Sequence, residues 1–329
     1  MLYLVILVIL FPCMSSPTDL EQSILRTLCW FAVFDQSITG FEIWKWLVEP
    51  ARAYDLSEVY RVLEGSEWVK SRVQEEGGYY VLHSPSPYKG EGRGEVLRRE
   101  AVSLRSRNYL DATKKFRKLK RASHYFRLFS STRAVAAVNS IAWMNTNEKS
   151  DIDLFVVTKP KSIWSTRFWM VAPFIALRKR PGASNQDPFC FSFFATSNAL
   201  AMDHLRLKEG DHYFAFWLKS IVPMFDHDGH LEKLQDENAW ADHMLPNASP
   251  RTVHPLHKTS LTFPTFPTFP TFQTFYRSLS QKRFPIAIRN LANKDSRVVI
   301  SDDMLKFHET DRRAEFEEAY CTFVKQTMV

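Results

Sequence analysis

The chain has 329 residues, of which 45% are hydrophobic and 14% aromatic, and this length suffices for two domains with a sizeable core. The net charge of +7 favours polyanionic partners, such as nucleotides or nucleic acids, although charge bears on association rather than on fold. The four cysteines are scattered and form no C-x-x-C pair. Their spacing argues against a structural zinc site and a disulfide framework, and it fits a reducing, cytoplasmic compartment.

The first seventeen residues form an apolar segment that is separate from the globular pattern. Leu2 to Phe11 is an unbroken apolar run that ends at Pro12, and it is too short to span a bilayer as a helix. No Lys or Arg precedes the run, and Ser15 to Pro17 is a poor context for signal cleavage. The pattern favours a start assigned too far upstream, with weak membrane association through residues 2–12 as the alternative.

Residues 18–85 show the pattern of three helices followed by a hairpin. The expected helices run from Asp19 to Phe34, with Thr18 or Asp19 as the cap, from Glu42 to Leu47 and from Leu56 to Leu63. Residues 68–82 then predict two short strands joined by a Gly-containing loop. This order resembles a winged helix. The third helix carries Arg61 but also Glu58 and Glu64, so a structural or protein-binding role competes with DNA binding.

Residues 86–130 predict a basic helical connector. Its basic residues far outnumber Glu100 and Asp111, and aromatic residues are interleaved with them at partly helical spacing. One interpretation is an amphipathic helix with a solvated charged face. The other is a track for RNA, DNA or a triphosphate tail. The basic residues are Arg98, Arg99, Arg105, Arg107, Lys114, Lys115, Arg117, Lys118, Lys120, Arg121 and Arg127.

The sequence Asp151-Ile152-Asp153, followed by Leu-Phe-Val-Val, has the pattern of an acidic pair at the start of a buried strand. Because side chains alternate along a strand, both carboxylates are expected on one face while Ile152 turns into the core. Two carboxylates on one face suit Mg²⁺ or Mn²⁺, hard ions that prefer oxygen ligands. The sequence therefore predicts a divalent metal site at Asp151 and Asp153.

The segment upstream of this pair predicts a phosphate-binding turn. Ala134 to Val138 has the pattern of a short strand, and Asn139-Ser140 leads from it into a short helix. Free backbone N–H groups at the start of such a helix can donate hydrogen bonds to an anion. The arrangement resembles the nucleotidyltransferase superfamily of the DNA polymerase β type. That resemblance implies an NTP substrate, Mg²⁺ held by catalytic Asp151 and Asp153, and nucleotide contacts from Asn139 and Ser140.

Two features differ from the pattern of that superfamily. Asn139 replaces the usual Gly, and Asn is the residue other than Gly that best tolerates a left-handed backbone. The usual third acidic residue is also missing, because the next predicted strand, 189–195, contains no acid and Asp187 comes too early. The resemblance thus implies transfer of a nucleotidyl group from an NTP to an unknown acceptor. The alternative is a catalytically inactive regulator that senses nucleotides or binds nucleic acid.

The rest of the chain completes the expected α+β architecture, a nucleotidyltransferase-like mixed sheet with packed helices over residues 131–245. Helices are expected over 162–178 and 211–224, a low-complexity loop with a Thr-Phe-Pro repeat over 246–280, and a helical segment over 281–329. Ser301 is expected to cap the last helix, in which His308, Asp311, Arg312 and Arg313 either reach the active face or are solvated. The whole also resembles uncharacterised bacterial proteins that join a winged helix to a nucleotidyltransferase-like domain.

Overall fold

The protein is described by a computed structural model over residues 16–83, 96–183, 186–208, 210–249 and 272–328, with the side chains of 96–101 excepted. The predicted α+β class is confirmed, because the described residues form helices together with one three-stranded and one six-stranded sheet. Residues 1–15 of the apolar N-terminal segment, residues 86–95 of the basic connector and most of the Thr-Phe-Pro repeat lie outside these ranges. Within them, no helix combines the length and the apolar character needed to cross a bilayer.

The helices and strands alternate irregularly along the chain. The α-helices are α1 Asp19–Ala32, α2 Gly40–Lys45, α3 Leu56–Gly65, α4 Glu67–Lys70, α5 Val96–Phe126, α6 Asn139–Ala142, α7 Ile163–Ala176, α8 His212–Ser220, α9 His230–Asp236, α10 Trp240–Met244, α11 Gln273–Lys282, α12 Ile286–Leu291 and α13 Arg313–Met328. The strands are β1 Ile38–Thr39, β2 Val73–Glu76, β3 Tyr79–Leu82, β4 Thr132–Ala137, β5 Ile152–Thr158, β6 Phe189–Thr196, β7 Val222–Asp226, β8 Val298–Ile300 and β9 Met304–Phe307.

The N-terminal helices follow the predicted order, but the first hairpin strand, expected over 68–73, was misplaced, because Glu67–Lys70 is helical and the strand runs over Val73–Glu76. Thr18 caps α1 in a reciprocal capping box with Glu21, which accounts for the sharp start of that helix. Thr39 and Glu42 form the same box at α2, so this helix begins two residues earlier than expected. Strands β2 and β3 form the predicted hairpin, and β1 pairs with β3 to give an antiparallel sheet in the order β1-β3-β2.

The six-stranded sheet has the order β7-β4-β5-β6-β9-β8. Strands β5 and β6 are parallel, as expected for a pair connected through a helix, here α7, and the other neighbours are antiparallel. The parallel register places Asp153 opposite Cys190. The start of β6 therefore lies directly beside the acidic pair.

The C-terminal part corrects the prediction that Ser301 caps a long helix. The Ser301 hydroxyl accepts hydrogen bonds from the N–H groups of Asp303 and Met304, which makes a turn between β8 and β9. The final helix begins only at Arg313. Because β9 pairs with β6, the sheet assigned to 131–245 continues into a segment that was expected to be helical.

Two further predictions about elements were wrong. The helix expected over 211–224 ends at Ser220, and Val222–Asp226 is instead the edge strand β7, paired with β4. The low-complexity loop expected to continue to residue 280 ends earlier, because Gln273–Lys282 is helical. That helix, α11, packs on α7, and the Gln273 side chain accepts hydrogen bonds from the N–H groups of Trp164 and Ser165.

The N-terminal helices and the six-stranded sheet share one continuous core. Phe155 and Phe193 on one sheet face belong to the same buried cluster as Trp30 of α1, and Trp30 stacks on Phe216 of α8 with 4.9 Å between ring centroids. The opposite face, which includes Ile152, packs with residues of α5 and α7. Since side chains alternate along β5, Asp153 lies on the face that carries Phe155.

The basic connector helix α5 is not uniformly solvated. Lys115 is fully buried between the carboxylates of Asp111 and Asp187, and Arg105 is buried against Glu42. The interpretation of this run as a phosphate-binding track is therefore wrong for Arg105 and Lys115, because carboxylates of the same chain already neutralise them. The side chains of Arg107, Lys114, Arg117, Lys120 and Arg121 are exposed.

Candidate metal and nucleotide site

The acidic pair and Cys190 form a compact cluster at the start of β5 and β6. One carboxylate oxygen each of Asp151 and Asp153 and the Sγ atom of Cys190 lie within 4.8 Å of one another. All three residues are partly exposed. The two carboxylates that the sequence placed on one strand face are thus brought together, and the parallel neighbour supplies the third group.

Burial and hydrogen bonds from neighbouring side chains shift the pKa of the Asp153 carboxylate. Burial raises its pKa to about 6, and the charge of Asp151 acts in the same direction. Hydrogen bonds with the side chains of Asn139 and Cys190 act in the opposite direction and stabilise the ionised form. A carboxylate with a pKa near 6 is largely ionised at neutral pH, as a metal ligand must be.

Asp151 and Cys190 differ in what they offer to a metal. Burial raises the pKa of Asp151, while the positive charges of Arg180 and Lys115 partly offset this effect. Burial and the nearby Asp153 charge hold the pKa of the Cys190 thiol far above its usual range, so the thiol is protonated at neutral pH. A protonated, soft sulfur is a poor ligand for Mg²⁺. The cluster therefore fits Mg²⁺ through its two carboxylates and not through its third member.

Asn139 has the left-handed backbone that the sequence suggested, with φ of 58°. Its side-chain amide is also engaged, because the Tyr213 hydroxyl donates to Oδ1 at 3.3 Å and the amide bonds to Asp153. Asn139 thus orients a carboxylate of the site. Ser140 follows in the four-residue helix α6, where its carbonyl accepts a hydrogen bond from the Asn145 N–H, and its expected contact with phosphate stays a prediction.

Substitutions at Asn139 separate its backbone role from its side-chain role. Asn139→Gly keeps the left-handed turn and is expected to leave the melting temperature within a few degrees of the wild type. Asn139→Val forces a β-branched residue to positive φ and is expected to cost roughly 1–3 kcal/mol of unfolding free energy. Equal denaturation midpoints for the two variants would contradict this account of the turn.

A cavity of about 210 Å³ opens beside Asn139 on the same face of the sheet. The sequence predicted that four residues of the C-terminal segment either reach the active face or are solvated, namely His308, Asp311, Arg312 and Arg313. All four line this cavity. Its other lining residues include aromatic side chains of α8 and α13. We call it the Asn139 cavity; it is completed by Phe193, Tyr213, Phe214, Trp217, Lys306, Thr310 and Phe316.

The charged groups of the Asn139 cavity are partly neutralised by one another. Arg313 contacts the carboxylates of Asp211 and Asp311 at 2.6 and 2.8 Å. Burial lowers the pKa of Lys306 to about 8, helped by the charge of Arg313, and burial lowers the pKa of His308 to about 3. At neutral pH the cavity therefore presents a neutral His308 beside a mainly protonated Lys306, an environment that accommodates negative charge.

Three residues of this region were missed by sequence reasoning. Cys190 could have been found from the register of a parallel pair, because its position beside Asp153 follows once β5 and β6 are aligned. Lys306 lies on β9, in a segment that was expected to be helical. Tyr213 contacts Asn139 from α8, a helix whose residues are nearly all buried, and no local pattern distinguishes it from the other aromatic residues of α8.

Comparison with known proteins gives no relative for this chain. No protein family, no curated protein and no solved structure matches it at a significant level.

Proposed function

We propose that the chain binds a magnesium–nucleotide complex at Asp151 and Asp153 and has a nucleotidyltransferase-type domain behind a winged-helix-type module. The observation that carries this proposal is the cluster itself, in which two strand carboxylates converge beside a left-handed turn. The N-terminal order of helix, strand, three helices and a hairpin, with the sheet order β1-β3-β2, supports the winged-helix assignment. Helix α3 exposes the acidic Glu64 together with Arg61, so it lacks the basic surface of a typical DNA-recognition helix.

Cys190, the third member of the cluster, decides which nucleotide chemistry is favoured. Two ions that clamp the attacking and the leaving oxygen need more anionic ligands than two carboxylates provide. Among the described residues, the group beside Asp153 is a protonated thiol instead of a carboxylate. This geometry favours nucleotide binding with a single ion, as in a sensor. Nucleotidyl transfer is the second candidate, favoured by the adjacent Asn139 cavity, where an acceptor has access to the same face.

In this proposal the protein residues bind and orient. Asp151 and Asp153 would hold Mg²⁺, which neutralises phosphate charge when bound. Asn139 keeps the Asp153 carboxylate in place through its amide, and Tyr213 fixes that amide in turn. Lys306 supplies positive charge along the Asn139 cavity for phosphate groups, and Arg312, which also pairs with Glu315 at its exposed edge, adds to it. Positioning and charge neutralisation would supply most of the rate if transfer occurs.

Cys190→Asp tests how the third position limits the site. A carboxylate there gives the ion an additional oxygen ligand, so we expect Mg²⁺ or Mn²⁺ affinity to rise by about tenfold or more. The measurements are calorimetric titration with Mg²⁺ and the gain in melting temperature on adding the ion. Cys190→Ser is the matched control, because it also replaces the thiol with an oxygen group but adds no charge.

Incubation with labelled nucleotides distinguishes the two candidate functions. Wild-type protein incubated with labelled NTPs and Mg²⁺ is expected to bind nucleotide without releasing pyrophosphate, whereas release would favour transfer. If Cys190→Asp and Cys190→Ser bind Mg²⁺ equally, the position beside Asp153 does not contact the ion and the proposed site geometry is wrong.

A further inference from the structure

A second cavity, on the opposite side of the sheet from the Asn139 cavity, has an unusual combination of apolar walls and guanidinium groups. Its volume is about 360 Å³, within the usual range of small-molecule pockets. Arg167 of α7 and Arg180 after α7 both line it, and Arg283 stands at its exposed edge. We call it the arginine cavity; its apolar walls are formed by Phe168, Val171, Ala172, Ile175, Ala176, Phe284 and Pro285.

Within the described part of the chain, the two inner arginines lie over aromatic rings and form no close ion pair, although Arg180 interacts electrostatically with Asp151. The guanidinium carbon of Arg167 lies 4.8 Å from the centroid of Phe307 and 5.5 Å from that of Phe284. The corresponding carbon of Arg180 lies 5.5 Å from the centroid of Phe191. Such ring contacts orient a guanidinium while its N–H groups keep their capacity to donate.

Each of these arginines has a buried nitrogen without a hydrogen-bond partner among the described residues. The atoms are Nε of Arg167 and Nη1 of Arg180. Burial, together with the smaller effect of the positive charge of Arg180, lowers the pKa of Arg167 to about 9. A buried donor without an acceptor costs free energy, and two like charges facing one cavity add to that cost. An anion bound between them would remove both penalties.

The described residues supply no such anion. The residues that line the arginine cavity include no Asp or Glu. The stretches closest in sequence that fall outside the description, 184–185 and 250–271, contain no acidic residue either. Among the described residues, only Asp151 partly offsets the charge of Arg180, and no carboxylate faces the arginine cavity.

We propose that the arginine cavity binds an amphipathic anion, namely an alkyl or aromatic chain that ends in a phosphate or a carboxylate. The anionic head lies between Arg167 and Arg180, where planar guanidinium groups form paired hydrogen bonds with either oxyanion. The chain lies along Val171, Ala172 and Phe284, where burial of its apolar surface contributes affinity. Arg180 also interacts electrostatically with Asp151 of the proposed nucleotide site, but binding of the anion needs neither a metal nor a nucleotide.

The test uses the full chain without metal or nucleotide. The probes are octyl phosphate and octanoate, each below its micellar concentration, with octanol and inorganic phosphate as the apolar and anionic halves alone. Calorimetry and thermal melting are expected to show binding of octyl phosphate or octanoate with a gain in melting temperature. The stronger of the two identifies the preferred head group. Octanol and inorganic phosphate are each expected to bind at least about tenfold more weakly.

Three variants locate the site. Arg167→Gln and Arg180→Gln are each expected to weaken probe binding by at least about tenfold, whereas Arg178→Gln, an exposed residue outside the cavity, is the matched control. Arg167→Gln also removes an unpartnered buried charge, so its free form is expected to melt no lower than the wild type. Ala176→Phe fills the cavity from an exposed helix position and keeps both arginines; it is expected to block binding.

Several results would overturn the proposal. They are the absence of binding by both amphipathic probes, equal binding of octanol or of inorganic phosphate, and unchanged affinity in Ala176→Phe together with both arginine variants. None of these experiments includes Mg²⁺ or a nucleotide. Their results therefore test the arginine cavity even if the proposed nucleotide function is wrong.

Discussion

Asp153→Asn is expected to abolish magnesium-dependent nucleotide binding and to leave the protein folded. The Asp153 carboxylate is one of two oxygen donors that the cluster offers to a hard ion, and an amide oxygen is a weaker ligand because it carries no charge. Even loss of a group that only supports a ligand costs 10–100-fold in metal affinity, so we expect a loss above about hundredfold. Asp151→Asn is expected to have the same effect, since it removes the other carboxylate.

Stability separates this effect from misfolding. The pKa of Asp153 is raised to about 6, chiefly by burial, so the native state disfavours the charged form and folding is less favourable above that pH than below the unfolded value of about 3.9. An uncharged Asn removes this penalty. The variant is therefore expected to melt no lower than the wild type at pH 7.

Calorimetric titration of Mg²⁺ with ATP, and then with GTP, measures the loss. Asp236→Asn is the matched control, because it removes an exposed carboxylate of α9, away from the cluster. Unchanged nucleotide affinity in both Asp151→Asn and Asp153→Asn would rule out the metal site, even if another part of the chain bound nucleotide.

Local sequence patterns predicted the part of the site that depends on local structure. The acidic pair precedes a β-branched and aromatic run, so its strand and its common face follow from alternation alone. The left-handed turn at Asn139 follows from the conformational preference of one residue, and its φ of 58° agrees. Both features depend on interactions between close neighbours in the chain.

Features that depend on pairing between distant segments were not predictable in this way. The composition of Ser301-Asp302-Asp303 suits the start of a helix and a turn between two strands equally well. The turn forms because β9 pairs with β6 across more than a hundred residues of chain, and such pairing leaves no mark in a short window. Cys190 acquires its position beside Asp153 in the same way. Long-range pairing also brings Lys306 to the Asn139 cavity.

Charge runs are the other case in which local patterns misled. In α5, Lys114 and Lys115 are indistinguishable by composition, yet the first is exposed and the second is fully buried. The difference arises because Asp187, far along the chain, lies against α5 and contacts the Lys115 ammonium at 2.9 Å. The carbonyl of Asn147 accepts a further hydrogen bond from the same group at 2.8 Å. Lys115 is therefore a structural residue within a basic run.

Lys115→Met is expected to destabilise the protein by about 3 kcal/mol, whereas Lys114→Met is expected to be nearly neutral. Removing one partner of a buried ion pair leaves uncompensated charge, which typically costs 3–5 kcal/mol. The low end of that range applies because Lys118 still pairs with Asp187 and because Asp111 keeps a hydrogen bond from the Thr146 hydroxyl. Urea denaturation of the two variants and the wild type at pH 7 measures the difference.

Acidification provides an independent check on the cause of that loss. Burial alone would raise the pKa of Asp187, but hydrogen bonds from Lys118 and Lys115 bring it below its usual value. A lowered carboxyl pKa contributes stability above the unfolded value of about 3.9, and this contribution is lost as the pH falls through the lower native value. The deficit of Lys115→Met relative to Lys114→Met is therefore expected to shrink below about pH 4. An equal deficit at pH 7 and pH 3 would assign the loss to packing of the lysine stem instead of to its ion pairs.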